Sequence, residues 1–524
     1  MSAAGSEVSP RAWVPSSNPW LIAIAVMMGT FMEVLDTSIT NVALPHIAGS
    51  MAITPDDATW VLTSYLISNA VVLTATGWLS RRFGRKRFLL FCIVVFAIGS
   101  LCCGLAPSFP LLILSLLLQG AGGGALQPSA QAILLESFPL EKRGQAMAMY
   151  TFGVIFAPVI GPTLGGWLTD SYSWRWVFYI NIPVAILAFL MIQAFVEDPP
   201  YLKQAAIGRL DSVGFLLLGS WIAGLQVMLD KGQEVDWFGV EWMRWLAIFT
   251  VVTFLSFVAW ELTAEHPLVN LRVLKNRNFF SGTVLITMVG AVLYGTTALL
   301  PLYLQTVMGY PALQSGLAIS PRGLGSIVGI FLAGQLINVI DNRFMMVTAV
   351  LALAASSFFL GNIDLQIGQF TVTWPIIING FATSLLFIPL TTNAVGTLRS
   401  DQIGNATSIY NLMRNIGGAI GISVTTTLLV RISQKRQNTL IDHVTPTNAT
   451  FRAHLHSLQK VFQAHASVTT AHQQALTVIY NGVAQQASVL SYVDVFRFLG
   501  ILCLVCLPMV FLIRPVKRGK VMVH

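Results

Sequence analysis

Residues 31–45 read FMEVLDTSITNVALP. Glu33, Asp36, Thr37, Thr40 and Asn41 follow the spacing i, i+3, i+4, i+7, i+8, which is one face of a helix. The run around them is apolar over about residues 20–44, long enough to cross a hydrocarbon core. A charged side chain at the bilayer centre costs roughly 2.5–3.5 kcal/mol on insertion scales. The stripe therefore has to face a bundle interior or a wet cavity. Two carboxyls one turn apart repel when both are ionised, which suits a site that loads and releases a proton. The competing reading is a pair of structural acids bonded to neighbouring helices.

Composition places this helix among many of its kind. The chain has 524 residues, 55% apolar and only 10% charged, with a mean hydropathy of +0.71. Soluble proteins are about a quarter charged, and disordered chains lack apolar content. A polytopic membrane protein remains. The net charge of +8 is spread over short loops rather than gathered on one surface, so no nucleic-acid partner is expected; the lipid bilayer is. Cys92, Cys102, Cys103, Cys503 and Cys506 all lie in apolar runs and read as packing residues. No metal site and no signal peptide are expected.

Fourteen spans are expected, at about 20–44, 57–78, 88–106, 110–135, 145–169, 176–196, 211–230, 242–262, 281–306, 313–339, 344–361, 373–397, 405–430 and 492–513. With the N-terminus in the cytoplasm, nineteen Lys and Arg residues fall inside. The short outer loops hold only Arg175, Lys231 and Arg244, and Arg431, Lys435, Arg436, Arg452 and Lys460 lie in one long outer loop. Such asymmetry sets topology, so both termini are expected to be cytoplasmic. A weak internal repeat supports the layout. Leu44-Pro45 matches Leu300-Pro301 at offset 256, Gly77 matches Gly334 at 257, and Gln119-Gly120 matches Asn379-Gly380 at 260. Glu141, Gly144, Ala146, Tyr150 and Gly161 match Asp401, Gly404, Ala406, Tyr410 and Gly421 at 260. The expected organisation is a tail (1–19), a six-helix half (20–196) and a linker with two additional spans (197–280). A second six-helix half (281–513), including the long loop 431–491, and a tail (514–524) follow. Parallel six-helix repeats around a midplane site are a secondary-transporter layout.

Other polar residues stand out against the apolar background. Arg322 and Arg414 lie well inside spans and need counter-charges or carbonyls; Glu33 or Asp36 could supply them from the other half. Snorkelling to the headgroups is the alternative, chiefly for Arg322 beside Pro321, and it is the default for Arg497. GWLSRRFGRKR (residues 77–87) pairs glycines Gly77 and Gly84, suited to a tight turn, with Arg81 and Arg85, which could bond helix-end carbonyls across the half interface. Gly161, Pro162, Gly165 and Gly166 in span 5 allow close helix approach. QGAGGG (119–124) is a similar contact surface with Gln119 as a polar liner; without Lys-Ser/Thr it is no phosphate loop. The long loop carries two amphipathic stretches. Phe451, Leu455, Leu458 and Phe462 form the first, and Leu476, Tyr480, Val483 and Leu490 the second. Loops of this length are usually functional or disordered; the first stripe is expected to dock a partner, the alternatives being a hairpin folded back on the outer mouth or solvated with no partner. His454 and His456 do not share a helical face, which argues against a metal.

These residues together resemble the EmrB/QacA-type drug:proton antiporters, the fourteen-span branch of the major facilitator superfamily, over nearly the whole chain. LDTSITNVALPHIAG (35–49) is similar to that branch's first-span motif, GWLSRRFGRKR to the loop 2–3 motif, and GPTLGG (161–166) to the antiporter motif of the fifth span. LQVMLDKGQEVDWF (225–238), WELTAEHPLVNLRVLKNRNF (260–279) and IYNLMRNIGGAIGISVTTTLL (409–429) resemble EmrB-type pumps in particular. The resemblance implies an all-α major facilitator fold and efflux of small hydrophobic or amphiphilic drugs across the inner membrane in exchange for protons. It implies no cofactor beyond the proton gradient. Asp36, with Glu33, Arg414 and Arg322, would couple protons; Thr37, Thr40, Asn41 and Gln119 would line the path; the fifth-span motif would shape the hinge. The implied partners are a periplasmic adaptor and an outer-membrane channel. Two positions depart from the pattern. Arg81 stands where the loop motif has an aspartate, and Leu116 where the fourth-span motif has an arginine. The rivals are a symporter or exporter of one metabolite, which the fold fits equally, and a polytopic membrane enzyme, for which no second polar cluster exists.

Overall fold

The computed structural model describes residues 15–513 apart from 59, 140–141, 199–210, 266, 338, 365–367, 397, 399–401, 443, 446 and 466. The expected Glu141–Asp401 match, Arg11, Lys203, Arg209, Arg399, His443 and the tail from Arg514 lie outside the described residues.

Among the described residues, fourteen helices are long and apolar enough to cross a membrane. Spans 1–6 are Pro19–Met51, Trp60–Phe83, Arg85–Leu105, Phe109–Ser137, Arg143–Ser171 and Trp176–Phe195. Spans 7 and 8 are Ser212–Lys231 and Glu241–Thr263. Spans 9–14 are Arg277–Val307, Leu313–Leu336, Asn342–Leu360, Phe370–Val395, Gly404–Ile441 and Val468–Leu512. Their starts follow capping chemistry. Asn18 accepts from the Trp20 amide with Pro19 in the first turn, and Asp211, Asn276 and Asp341 cap spans 7, 9 and 11. Each satisfies an amide that a helix start leaves open. Spans 4 and 10 are interrupted, at Gly124-Ala125 and at Ser320-Pro321. Span 5 stays helical through Pro158 and Pro162.

The two six-helix halves repeat one packing plan. Span 1 lies on span 5 as span 9 lies on span 13, and spans 2 and 3 flank span 4 as spans 10 and 11 flank span 12. Backbone detail agrees: a Cβ on Gly120 would run into the Tyr65 carbonyl, and one on Gly380 into the Arg322 carbonyl. Each half has its own apolar core. Spans 7 and 8 pack on each other and, through span 7, against span 2. Span 8 turns Trp245, Val251 and Leu255 outward, each more than half exposed, as a lipid-facing helix must. Alternating spans put the loop after span 2 at one end of the bundle, here the basic end.

Most of the described residues of the expected long loop are helical. Span 13 runs on to Ile441, a separate helix covers Ala449–Gln463, and span 14 already begins at Val468. The short helix packs on the start of span 14. Phe451, Leu455, Leu458 and Phe462 are half-buried while the positions between them are mostly exposed. Opposite them, Ala471 and Ala475 are fully buried. The stripe thus lies along the side of the short helix that faces span 14. Of the second stretch, Leu476 and Tyr480 remain exposed, and Val483 and Leu490 are half-buried.

Candidate functional site

The two acids of span 1 enter different networks. Glu33 is buried and accepts hydrogen bonds from Asn69 Nδ2 at 3.2 Å and Gln127 Nε2 at 2.6 Å. The Oε1 of Gln127 accepts in turn from Nη2 of Arg414. A continuous chain, Glu33–Gln127–Arg414, thereby joins span 1 through span 4 to span 13 of the other half. One turn further along span 4, Gln131 Oε1 accepts from Asn411 Nδ2 at 3.0 Å. Arg414 is buried and lies 5.7 Å from the Phe387 ring centroid.

Asp36 points elsewhere. It is buried and accepts from Asn181 Nδ2, which also donates to Ser100 Oγ at 2.9 Å. Gln119 Nε2 donates to the same Ser100 oxygen at 3.3 Å, and the Ser100 hydroxyl donates to the Phe178 carbonyl at 2.8 Å. This second network stays within spans 1, 3, 4 and 6. Gln119 is fully buried in it. The rest of the sequence stripe divides. Thr37 donates to its own helix at Val34, Thr40 is buried with its hydroxyl unpartnered, and Asn41 is exposed.

Arg322 does not meet either acid. It is buried in the second half and donates to Thr297 Oγ1 at 2.7 Å; among the described residues it has no salt bridge. Snorkelling is thereby replaced by burial inside the bundle. Arg497 donates to Asn362 Oδ1 at 3.1 Å. Leu116 is buried, and an arginine of the other half, Arg414, reaches span 4 at Gln127.

The gate candidates also sort by partner. Gly84 has φ +85°, and a Cβ there would lie 2.7 Å from an Asp198 carboxylate oxygen. The same carboxylate accepts from the Lys86 amide at 2.9 Å. Arg85 forms a partly buried ion pair with Glu136, and Arg81 Nε donates to the Gly77 carbonyl at 3.1 Å. These charges bond within the first half, contrary to the expected bridging of the half interface. Gly77 approaches the second half: a Cβ on it would lie 3.9 Å from Asn405 Cα. Asn405 also exchanges two 3.1 Å hydrogen bonds with the Asn270 backbone. In span 5, Gly161 and Gly165 face Ser38 and Ile39 of span 1, while Pro162 and Val159 meet Gly316 and Gly323 of span 10. Gly166 is buried in the same helix. One helix thus uses one edge inside its half and another across the interface.

Sequence reasoning missed Asn69, Ser100, Gln127, Gln131, Asn181 and Asn411. Their signal was present, since an amide or hydroxyl inside an apolar span needs a partner. Gln127 and Gln131 in particular are four residues apart on one face.

Comparison with known proteins accords with this geometry. Residues 26–422 match the family model of the Major Facilitator Superfamily. The chain is 34% identical to "Multidrug export protein EmrB" of Escherichia coli (strain K12) over 497 residues, 94% of this chain and 95% of that one. It is 35% identical to "Fatty acid resistance protein FarB" of Neisseria gonorrhoeae over 501 residues, 94% of this chain and 96% of that one. Among solved structures it resembles a bacterial homologue of the human lysosomal transporter Spinster, inward-facing and occupied, with a TM-score of 0.57 at 16% identity over 95% and 97% of the two chains. The fold is shared with that transporter. By family and by relatives across nearly its whole length, the chain belongs to the Major Facilitator Superfamily, as a transporter of the EmrB-type multidrug-export branch.

Proposed function

We propose that the protein exports small amphiphilic compounds across the inner membrane in exchange for protons, with Glu33 and Asp36 as the proton-carrying groups. The observation that carries this reading is the Glu33–Gln127–Arg414 chain. An ionised Glu33 can accept from both Asn69 and Gln127, which fixes the Gln127 carbonyl toward Arg414. Protonation removes the charge that balances the buried guanidinium and turns one carboxyl oxygen into a donor. The contact between span 4 and span 13 is then weakened at the basic end, and the halves can part there. Proton loading is in this way tied to which end opens. Asp36, held wholly within the first half, senses protons without touching the interface.

The names of the relatives, multidrug export and fatty acid resistance, support an amphiphilic substrate class. Docking of a periplasmic adaptor, leading to an outer-membrane channel, would use the exposed face of the hairpin at Val461, Val468, Leu476 and Tyr480. The test is transport in inverted vesicles carrying the full chain, with an imposed pH gradient and a panel of dyes and drugs. Gradient-dependent dye accumulation, with proton release on adding drug, is the expected result. Equal accumulation with the gradient collapsed would overturn proton coupling.

A further inference from the structure

Thr296, Thr297, Leu300, Pro301, Arg322 and Asn379 line a small pocket inside the second half. Ile319, Leu360 and Ile376 complete an apolar wall. The Arg322 guanidinium enters this space with one hydroxyl partner, Thr297 at 2.7 Å. Among the described residues no carboxylate lies within salt-bridge distance of it. Asn379 is only 2% exposed, and neither its Oδ1 nor its Nδ2 has a hydrogen-bond partner. The Ser326 hydroxyl one turn beyond Arg322 is also buried and unpartnered. A buried cation without a counter-charge and a buried amide without a bond are each costly. Together, around one cavity, they describe donors waiting for an acceptor.

The internal repeat sharpens the contrast. Gly380 rests on the Arg322 carbonyl as Gly120 rests on that of Tyr65, so Arg322 and Asn379 occupy the second-half counterparts of Tyr65 and Gln119. In the first half Gln119 is tied to Ser100 beside the acid Asp36. In the second half the corresponding amide is free, and the nearby charge is positive.

We propose that this cavity is a subsite for the carboxylate group of an anionic amphiphile. The guanidinium supplies the charge and the Asn379 amide a further donor, a pairing suited to a planar carboxylate. Leu300, Ile319, Leu360 and Ile376 flank the entry. As it stands the pocket has room for about one water molecule, so the carboxylate enters by displacing these side chains and the tail lies outside. The proposal rests on the export reading for its source of ligand, but binding can be read without transport.

The experiment measures radiolabelled decanoate binding to the full chain in nanodiscs, net of empty discs, beside radiolabelled chloride binding and inverted-vesicle transport of decanoate and a cationic dye. Loss of one charge-assisted contact is expected to weaken decanoate binding about tenfold to a hundredfold in Arg322→Gln. Dye transport should fall less than decanoate transport, and Arg322→Lys should restore part of the binding. Asn379→Asp puts a carboxylate into the same cavity. It should abolish decanoate binding while raising the thermal unfolding midpoint, which a merely structural role for Asn379 does not predict. Equal loss of decanoate and dye in Arg322→Gln, or unchanged decanoate binding in it, overturns the proposal. So does Arg322-dependent binding of chloride without binding of decanoate. Absence of transport for every probe, with Arg322-dependent decanoate binding intact, would instead sink the export reading and leave the subsite standing.

Discussion

Glu33 and Asp36 are three residues apart, yet only Glu33 reaches the other half. If Glu33, Gln127 and Arg414 act as one chain, breaking it twice should cost no more than breaking it once. Glu33→Gln and Gln127→Leu are each expected to cut drug-driven proton release in inverted vesicles about tenfold or more, with the double variant no worse than the weaker single. Multiplied losses would show that the two residues act separately. The polar stripe itself was legible, because acids in an apolar helix have few alternatives. The partner of each acid was not. Helical spacing groups Glu33 with Asp36, but a helix between two neighbours shows them different sides of the same stripe. Nothing in the spacing says that an amide, Gln127, stands between Glu33 and Arg414, or that Arg322 has no acid in salt-bridge reach among the described residues.

At the scale of the element, close contact is written in glycines, and the structure says which ones matter. A Cβ on Gly120 or Gly380 meets a carbonyl of the adjacent span, whereas one on Gly334 meets nothing within 4 Å. Gly120→Ala and Gly380→Ala should therefore each destabilise the protein by about 1–3 kcal/mol through overpacking. Gly334→Ala should be neutral or slightly stabilising, since it favours the helix. Thermal unfolding in detergent, followed by size-exclusion chromatography, reads all three; equal midpoints would show that the bundle yields at these contacts. Span existence was legible throughout, because runs of apolar residues dominate the signal. The ends of spans 13 and 14 were not. There the helices outlast their apolar stretch, and Arg436, paired with Asp494 at 2.7 Å, continues the packing in polar terms that hydropathy does not register. The hairpin's small positions Ala471 and Ala475 carry no pattern of their own until the stripe of the short helix is laid against span 14.

Across the whole molecule, the basic residues are placed as well as counted. At the basic end Lys86 Nζ donates to the Gln193 carbonyl at 2.7 Å, Arg272 to Leu262 at 3.3 Å, Arg277 to Leu512 at 3.1 Å and Arg343 to Ile513 at 2.7 Å. These carbonyls close spans 6, 8 and 14, whose negative dipole ends all lie there, so each cation both retains its loop and caps a helix. At the hairpin end several charges are neutralised in pairs: Lys231 with Glu234 at 2.9 Å, Arg431 with Asp236 at 3.5 Å and Arg436 with Asp494 at 2.7 Å. A bilayer that holds positive charge on its cytoplasmic side therefore acts on one end only, and the basic end should face the cytoplasm. Phe83 at that end and Gln463 on the hairpin are both exposed. With the five native cysteines replaced, Gln463→Cys should react with a membrane-impermeant maleimide from the periplasmic side, and Phe83→Cys only after the membrane is opened. The opposite pattern would invert the molecule, put the hairpin in the cytoplasm and remove the basis for an adaptor on that face.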